Sequence, residues 1–64
     1  MSPLEFYEQN KSLFPPTNSK PTSEQHRQMF EIASIVDPKA NHKPSSCGRC
    51  YYNARRAIMR ALQI

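Results

Sequence analysis

The chain lacks tryptophan, has one glycine and two cysteines, and contains few strongly apolar residues. Eleven of its 64 residues are Leu, Ile, Val or Phe, a share below the roughly 20% at which composition begins to indicate disorder. Ordering each residue costs on the order of 1.5 kcal/mol, so these side chains barely offset the entropy of folding. We therefore expect a loosely packed chain that gains order from a metal, a partner or further copies of itself.

Several function classes are disfavoured by what is missing. No apolar run reaches the roughly 18 residues that a membrane span needs, so we expect no membrane anchor. Two cysteines three positions apart do not make the disulfide framework of a secreted mini-protein, which favours a reducing cytoplasm. No carboxylate pair, nucleophile and base, or phosphate-binding loop is evident, and we therefore expect no enzymatic activity.

Acidic residues are also missing from the C-terminal half. Residues 38–64 carry six basic and no acidic side chains, whereas residues 1–37 carry three basic and five acidic ones. This asymmetry predicts an acidic partner, a protein surface or a nucleic acid, for the C-terminal half. The basic candidates are Lys39, Lys43, Arg49, Arg55, Arg56 and Arg60.

Caps and apolar periods predict an all-α chain of three short helices, in an orthogonal or extended arrangement. Ser2, Pro3 and Glu5 form a helix start, and the prolines from Pro15 onward end that helix, so it covers about residues 2–14. Its inner stripe is expected to contain Leu4, Tyr7, Lys11 and Phe14.

Two further helices follow, each after a polar connection. A proline-stiffened linker over residues 15–21 leads to a helix over about 22–36, with Thr22 and Gln25 as its capping box. A loop over 37–46 leads to a helix over about 47–63, which Ser46 is expected to cap. This last helix is expected to have an apolar face and a basic face.

Apolar side chains outside the expected core are candidates for a docking surface. Aromatic residues are expected to act as core or interface anchors. Phe6 points away from the stripe of the first helix and Ile35 lies off the inner face of the second, so both should leave apolar surface exposed. The docking candidates are Phe6, Phe14, Phe30 and Ile35.

Cys47 and Cys50 lie one turn apart at the front of a helix, where free amides and the helix dipole lower a thiol pKa. One interpretation is a zinc site completed by His42 and His26, which would stabilise a nucleic-acid-binding regulator that uses the basic helix. A second is two reduced cysteines packed as small apolar residues, with Gly48 letting another backbone come close. In that case no cofactor is needed.

A third interpretation is a redox dithiol. The tetrad from Cys47 to Cys50 resembles the active-site sequence of thioredoxin-like oxidoreductases. That fold places a strand before the helix, and no strand-like alternation occurs here.

The polar turn Asn-His-Lys-Pro-Ser-Ser, followed by Cys-Gly-Arg-Cys and an arginine-rich helix, resembles the C-terminal end of small proteins encoded by tailed bacteriophages, including the crAss-like phages of gut bacteria. The resemblance covers about residues 41–62. It implies a phage-encoded accessory or virion component and assigns no functional residue.

Together these patterns predict a non-enzymatic structural or adaptor module that docks on the acidic surface of a larger protein assembly, in the cytoplasm or in a virion. Self-association of the chain is a further expectation. The zinc-stabilised regulator and the dithiol redox protein are the alternatives.

Overall fold

The computed structural model describes residues 2–15 and 20–64 of the chain. The regular elements are α1 (Pro3–Gln9), a first 3-10 turn (Lys11–Leu13), α2 (Ser23–Val36), a second 3-10 turn (Pro38–Ala40) and α3 (Gly48–Leu62). No strand occurs in the described ranges, so the predicted all-α class is confirmed. Most of the predicted linker, residues 16–19, lies outside the described residues.

The first helix begins as predicted and ends earlier. Ser2 Oγ accepts a hydrogen bond from the Glu5 amide, and the Glu5 carboxylate accepts one from the Ser2 amide. The predicted end at residue 14 is wrong, because Asn10 turns its side chain onto the Phe6 carbonyl, with 2.9 Å between Nδ2 and the oxygen. Asparagine competes with the helix for backbone partners in this way, and the chain tightens into the 3-10 turn.

This early ending changes which face of the first segment is buried. Leu4, expected on the inner stripe, is 53% exposed, whereas Phe6 is fully buried. The 3-10 turn brings Phe14 back to the side of Phe6, where the two rings pack edge to face with centroids 6.3 Å apart. The buried apolar side chains are Phe6, Leu13, Phe14, Met29, Phe30, Ile32, Ala33, Ala54 and Ile58.

Three of the four predicted docking residues are therefore unavailable to a partner. The expectation that Phe6 lies outside the core is wrong, and Phe14 and Phe30 are also buried. The physical reason is the scarcity of large apolar side chains: a core with so few of them needs all three phenyl rings. Of the four predicted docking residues, Ile35 is the one that is exposed, at 63%.

α2 and α3 pack against each other through aromatic as well as small side chains, since the Tyr51 ring of α3 lies beside His26 and Phe30 of α2. Thr22 and Gln25 form the predicted capping box at the start of α2. Ala33 and Ala54 are both fully buried, and Ile58 continues the same face of α3. Alanine has little side chain to separate two backbones, so helices that meet at alanines approach closely.

One buried polar side chain joins α1 to α2. Asn10 is 8% exposed, and its Oδ1 accepts a hydrogen bond of 3.0 Å from Gln25 Nε2. Gln25 also accepts from the Thr22 amide, so the residue that caps α2 also holds the end of α1. Both polar ends of Asn10 are satisfied, which is the condition for burying an amide at low cost.

The packing is tighter than composition suggests. The Cα radius of gyration is 10.4 Å, close to the roughly 11 Å expected of a folded domain of this length. The extended arrangement is therefore wrong, and the described helices form a compact unit.

We expect Asn10→Ala to destabilise the fold by about 1–3 kcal/mol, because Gln25 Nε2 and the Phe6 carbonyl both lose their partner. In a domain of this size each kcal/mol lowers the Tm by roughly 4–8 °C. Thermal unfolding followed by circular dichroism measures the change. Gln9→Ala, at the exposed neighbouring position, is the control and should stay within about 0.5 kcal/mol. Equal Tm values for the two variants would contradict the role of Asn10.

Candidate functional site

A groove with a volume of about 720 Å³ lies between α3 and the end of α2. Such a volume lies within the roughly 300–1,000 Å³ typical of ligand sites. One wall is a stripe of α3; the other comprises the end of α2, the second 3-10 turn and the loop that follows. The lining residues are Phe30, Val36, Asp37, Ala40, Asn41, His42, Lys43, Ser45, Cys50, Asn53, Arg56, Ala57, Arg60 and Ala61.

Small side chains on α3 explain why the groove is open. Ala57 and Ala61 lie one helical turn apart and line the groove, whereas larger side chains there would fill it. Phe30, which is buried, lies at the base, and Val36 adds an apolar surface from α2. The base of the groove is therefore apolar.

The loop wall is fixed to α2 by two side-chain contacts. Ser34 Oγ donates a hydrogen bond of 2.7 Å to the His42 carbonyl. The His42 side chain is 8% exposed, and its Nε2 lies 3.3 Å from Asp37 Oδ2. Asn41, just before, has a left-handed φ of 55°, which asparagine tolerates better than most residues. The loop therefore holds a defined position opposite α3.

The groove has a positive rim. Lys43 stands on the loop wall, and Arg56 and Arg60 stand on α3, all three exposed. Asp37 is the one carboxylate among the described residues that line the groove, and it is engaged with His42. Three of the six predicted basic residues are thus brought together around one concave surface, which the helical wheel alone does not indicate.

The other predicted basic residues lie elsewhere. Arg55 Nη1 donates a hydrogen bond of 3.3 Å to the Leu13 carbonyl, and the Arg55 guanidinium lies 5.6 Å from the centre of the Tyr52 ring. Arg55 therefore satisfies a carbonyl of the first 3-10 turn and belongs to the fold. Lys39 and Arg49 are exposed and do not line the groove.

The two cysteines occupy the first turn of α3. The helix begins at Gly48 and its N-cap is Cys47, one residue later than the predicted cap. Cys47 Sγ accepts a hydrogen bond of 3.2 Å from the Cys50 amide, and the Cys47 amide donates to Ser45 Oγ. A side chain at Gly48 would meet open space, so the expected close approach of another backbone is wrong.

The two thiols have different acid strengths. A hydrogen bond from the Cys50 thiol, helped by backbone amides and the Arg49 charge, holds the pKa of Cys47 below its usual range. The same hydrogen bond, together with burial, raises the pKa of Cys50. Cys47 is exposed and Cys50 is partly buried, so the more acidic thiol is also the more accessible one.

The four predicted zinc ligands are not brought together. Across the described ranges, no three His, Cys, Asp or Glu side chains are placed to hold one metal ion. His42 contacts Asp37, and His26 stacks on Tyr51 with ring centroids 5.1 Å apart and planes within 10°. Burial raises the pKa of Tyr51, as expected of a phenol packed between helices. No local pattern in the sequence indicates this stack, since the rings come from different helices.

No protein-family model matches the chain, and neither curated proteins nor solved structures show a significant match. Of the helices that the structure describes, none has the length and apolar character needed to cross a bilayer. Functional inference therefore depends on the chain's own residues.

We expect Ser34→Ala to loosen the loop wall, because the His42 carbonyl loses its donor, at a cost of about 0.5–1.5 kcal/mol. The heteronuclear NOE of backbone amides over residues 41–46 should fall while that of α1 stays unchanged. Ser23→Ala, at the exposed start of α2, serves as the control. Unaltered amide dynamics in the loop would show that Ser34 does not hold it.

Proposed function

We propose that this protein is a non-enzymatic binding module that docks on an acidic surface of a larger protein through the groove between α2 and α3. The observation that carries the proposal is an apolar base beneath three basic side chains, with one carboxylate already engaged by a histidine. A partner that presents acidic residues beside apolar ones matches this surface in both respects.

The basic side chains suit carboxylates. Arg56 and Arg60 are four residues apart, so they are neighbours on one helix face. Guanidinium groups bind carboxylates through two parallel hydrogen bonds, which adds geometric specificity to charge attraction. Lys43 approaches from the opposite wall, so an acidic residue in the groove would be contacted from both sides.

The apolar base favours a protein over a nucleic acid. Val36, Ala57 and Ala61 offer a surface for apolar side chains, which a phosphate backbone does not supply. Affinity for nucleic acid depends on neutralising many phosphates, and Arg55, a candidate for that role, is committed to the Leu13 carbonyl.

The resemblance of residues 41–62 to small phage proteins falls on the loop and α3, which form most of the groove. It supports the proposal that the larger protein belongs to a phage particle, with the chain made in a reducing cytoplasm before assembly. Exposed carboxylates on α1 and α2, including Glu5, Glu24 and Glu31, make a second copy of the chain the competing acidic partner.

The test is binding of a labelled amphipathic peptide with Glu and Leu at helical spacing, measured by fluorescence anisotropy. We expect the double variant Arg56→Glu with Arg60→Glu to weaken binding at least about tenfold, since charge-assisted hydrogen bonds contribute about 1.5–3 kcal/mol each. The double variant Lys20→Glu with Lys39→Glu makes the same change in net charge at exposed sites outside the groove, and should change affinity less than threefold.

A second variant tests the shape of the groove without changing charge. Ala61→Phe should fill the space beside α3 and weaken binding, because Ala61 is exposed and lines the groove without belonging to the core. Equal losses of peptide affinity in both double variants would show attraction by net charge alone and contradict binding in the groove. Tighter binding of duplex DNA than of the peptide at low salt would replace the proposal with nucleic-acid binding, and sedimentation as a dimer that excludes the peptide would replace it with self-association.

A further inference from the structure

The first turn of α3 holds a pair of thiols that the proposed docking does not use. Cys47 caps the helix and is exposed, and Cys50 follows one turn later, partly buried at the edge of the groove. We propose that Cys47 and Cys50 form a dithiol site that reduces an accessible disulfide of a second molecule, with Cys47 as the attacking sulfur and Cys50 as the resolving sulfur.

The backbone places the two sulfurs for this reaction. Cys47 is the N-cap of α3 and Cys50 is the third residue of the helix, and disulfide formation requires Cβ atoms roughly 3.5–4.5 Å apart. The Cys50 amide is 3.2 Å from Cys47 Sγ, so the Cys47 sulfur already lies beside the backbone of Cys50. Rotation of the Cys50 side chain and a small adjustment of the N-terminal turn would bring the two sulfurs together.

The two cysteines differ in solvent exposure, and this difference assigns their roles. Cys47 precedes the helix and is open to solvent, and the space beside Gly48 is empty to at least 4 Å from where a side chain would begin. A disulfide on another molecule can thus reach Cys47. Cys50 is partly buried against the core and is less accessible to an outside sulfur.

The exchange proceeds in two balanced steps. Cys47 releases its proton and attacks one sulfur of the substrate disulfide; the substrate S–S bond breaks, a mixed disulfide forms, and the departing sulfur takes up a proton. Cys50 then loses its proton and attacks Cys47 Sγ, which breaks the mixed disulfide and releases the second substrate thiol. The substrate disulfide is reduced to two thiols, and the protein dithiol is oxidised to a disulfide.

Hydrogen bonds to Cys47 Sγ favour this direction of attack. The Cys50 amide donates to it, and Arg49 is the neighbouring positive charge, which lowers the pKa of Cys47. Donors aimed at a sulfur stabilise its thiolate, which is the attacking form. Ser45 and the backbone amide of Cys50 lower the pKa of the Cys50 thiol, but the neighbouring Cys47 thiol and burial outweigh them, so that its pKa is raised.

The experiment adds oxidised glutathione, or in a second arm insulin, to the fully reduced chain and follows the products by mass spectrometry. The unaltered protein should lose two hydrogens and form a Cys47–Cys50 disulfide without accumulating an adduct. Cys50→Ser should trap a mixed disulfide with glutathione at Cys47. Cys47→Ser should react at least about tenfold more slowly, and its serine keeps a good N-cap, so the helix should persist.

Gly48→Ala is the matched control, since its added methyl meets open space and both thiols remain. It should form the intramolecular disulfide as readily as the unaltered chain. Reaction with glutathione alone identifies small disulfides as the substrates, and reaction with insulin as well includes protein disulfides. Failure to react with either, or equal adduct formation in the two serine variants, would overturn the proposal. Peptide docking, measured separately on the reduced chain, stands or falls independently of this result.

Discussion

The contact between α2 and α3 is the interaction on which the rest of the structure depends. Ala33 and Ala54 are fully buried where these helices meet, and Ile58 extends the same seam. Close packing here places the end of α2 beside the later turns of α3. The groove lies alongside this contact, where Ala57 and Ala61 of α3 and Val36 of α2 line the space without filling it.

The scarcity of apolar residues shapes the remaining architecture. The chain recruits Phe6 and Phe14 from its short first segment to cover α2 and α3, and it uses polar contacts where apolar ones run out. Asn10 and Gln25 connect α1 to α2, while Arg55 reaches the Leu13 carbonyl from α3. Asn10 and Arg55 each also donate to a backbone carbonyl, of Phe6 and Leu13 respectively, and so satisfy groups near the ends of short helical segments.

Two surfaces with different chemistry meet at α3. Its later turns present Arg56 and Arg60 over an apolar base, which suits an acidic protein partner. Its first turn presents the exposed thiol of Cys47, and Cys50 lies between the two surfaces because it both lines the groove and contacts Cys47. Oxidation of the pair would therefore alter a residue that lines the groove.

The sequence by itself determined the helical class, both capping boxes and the positive C-terminal half, because caps, apolar periods and charges are local properties. Tertiary structure decided which side chains became core and which became surface. Phe6 is buried and Leu4 is exposed in a first helix that Asn10 ends early. A helical period that continues to residue 14 predicts the opposite burial of these two side chains. Likewise, Arg55 donates a hydrogen bond to the Leu13 carbonyl, whereas its neighbour Arg56 lines the groove. Both environments form only when the helices pack together.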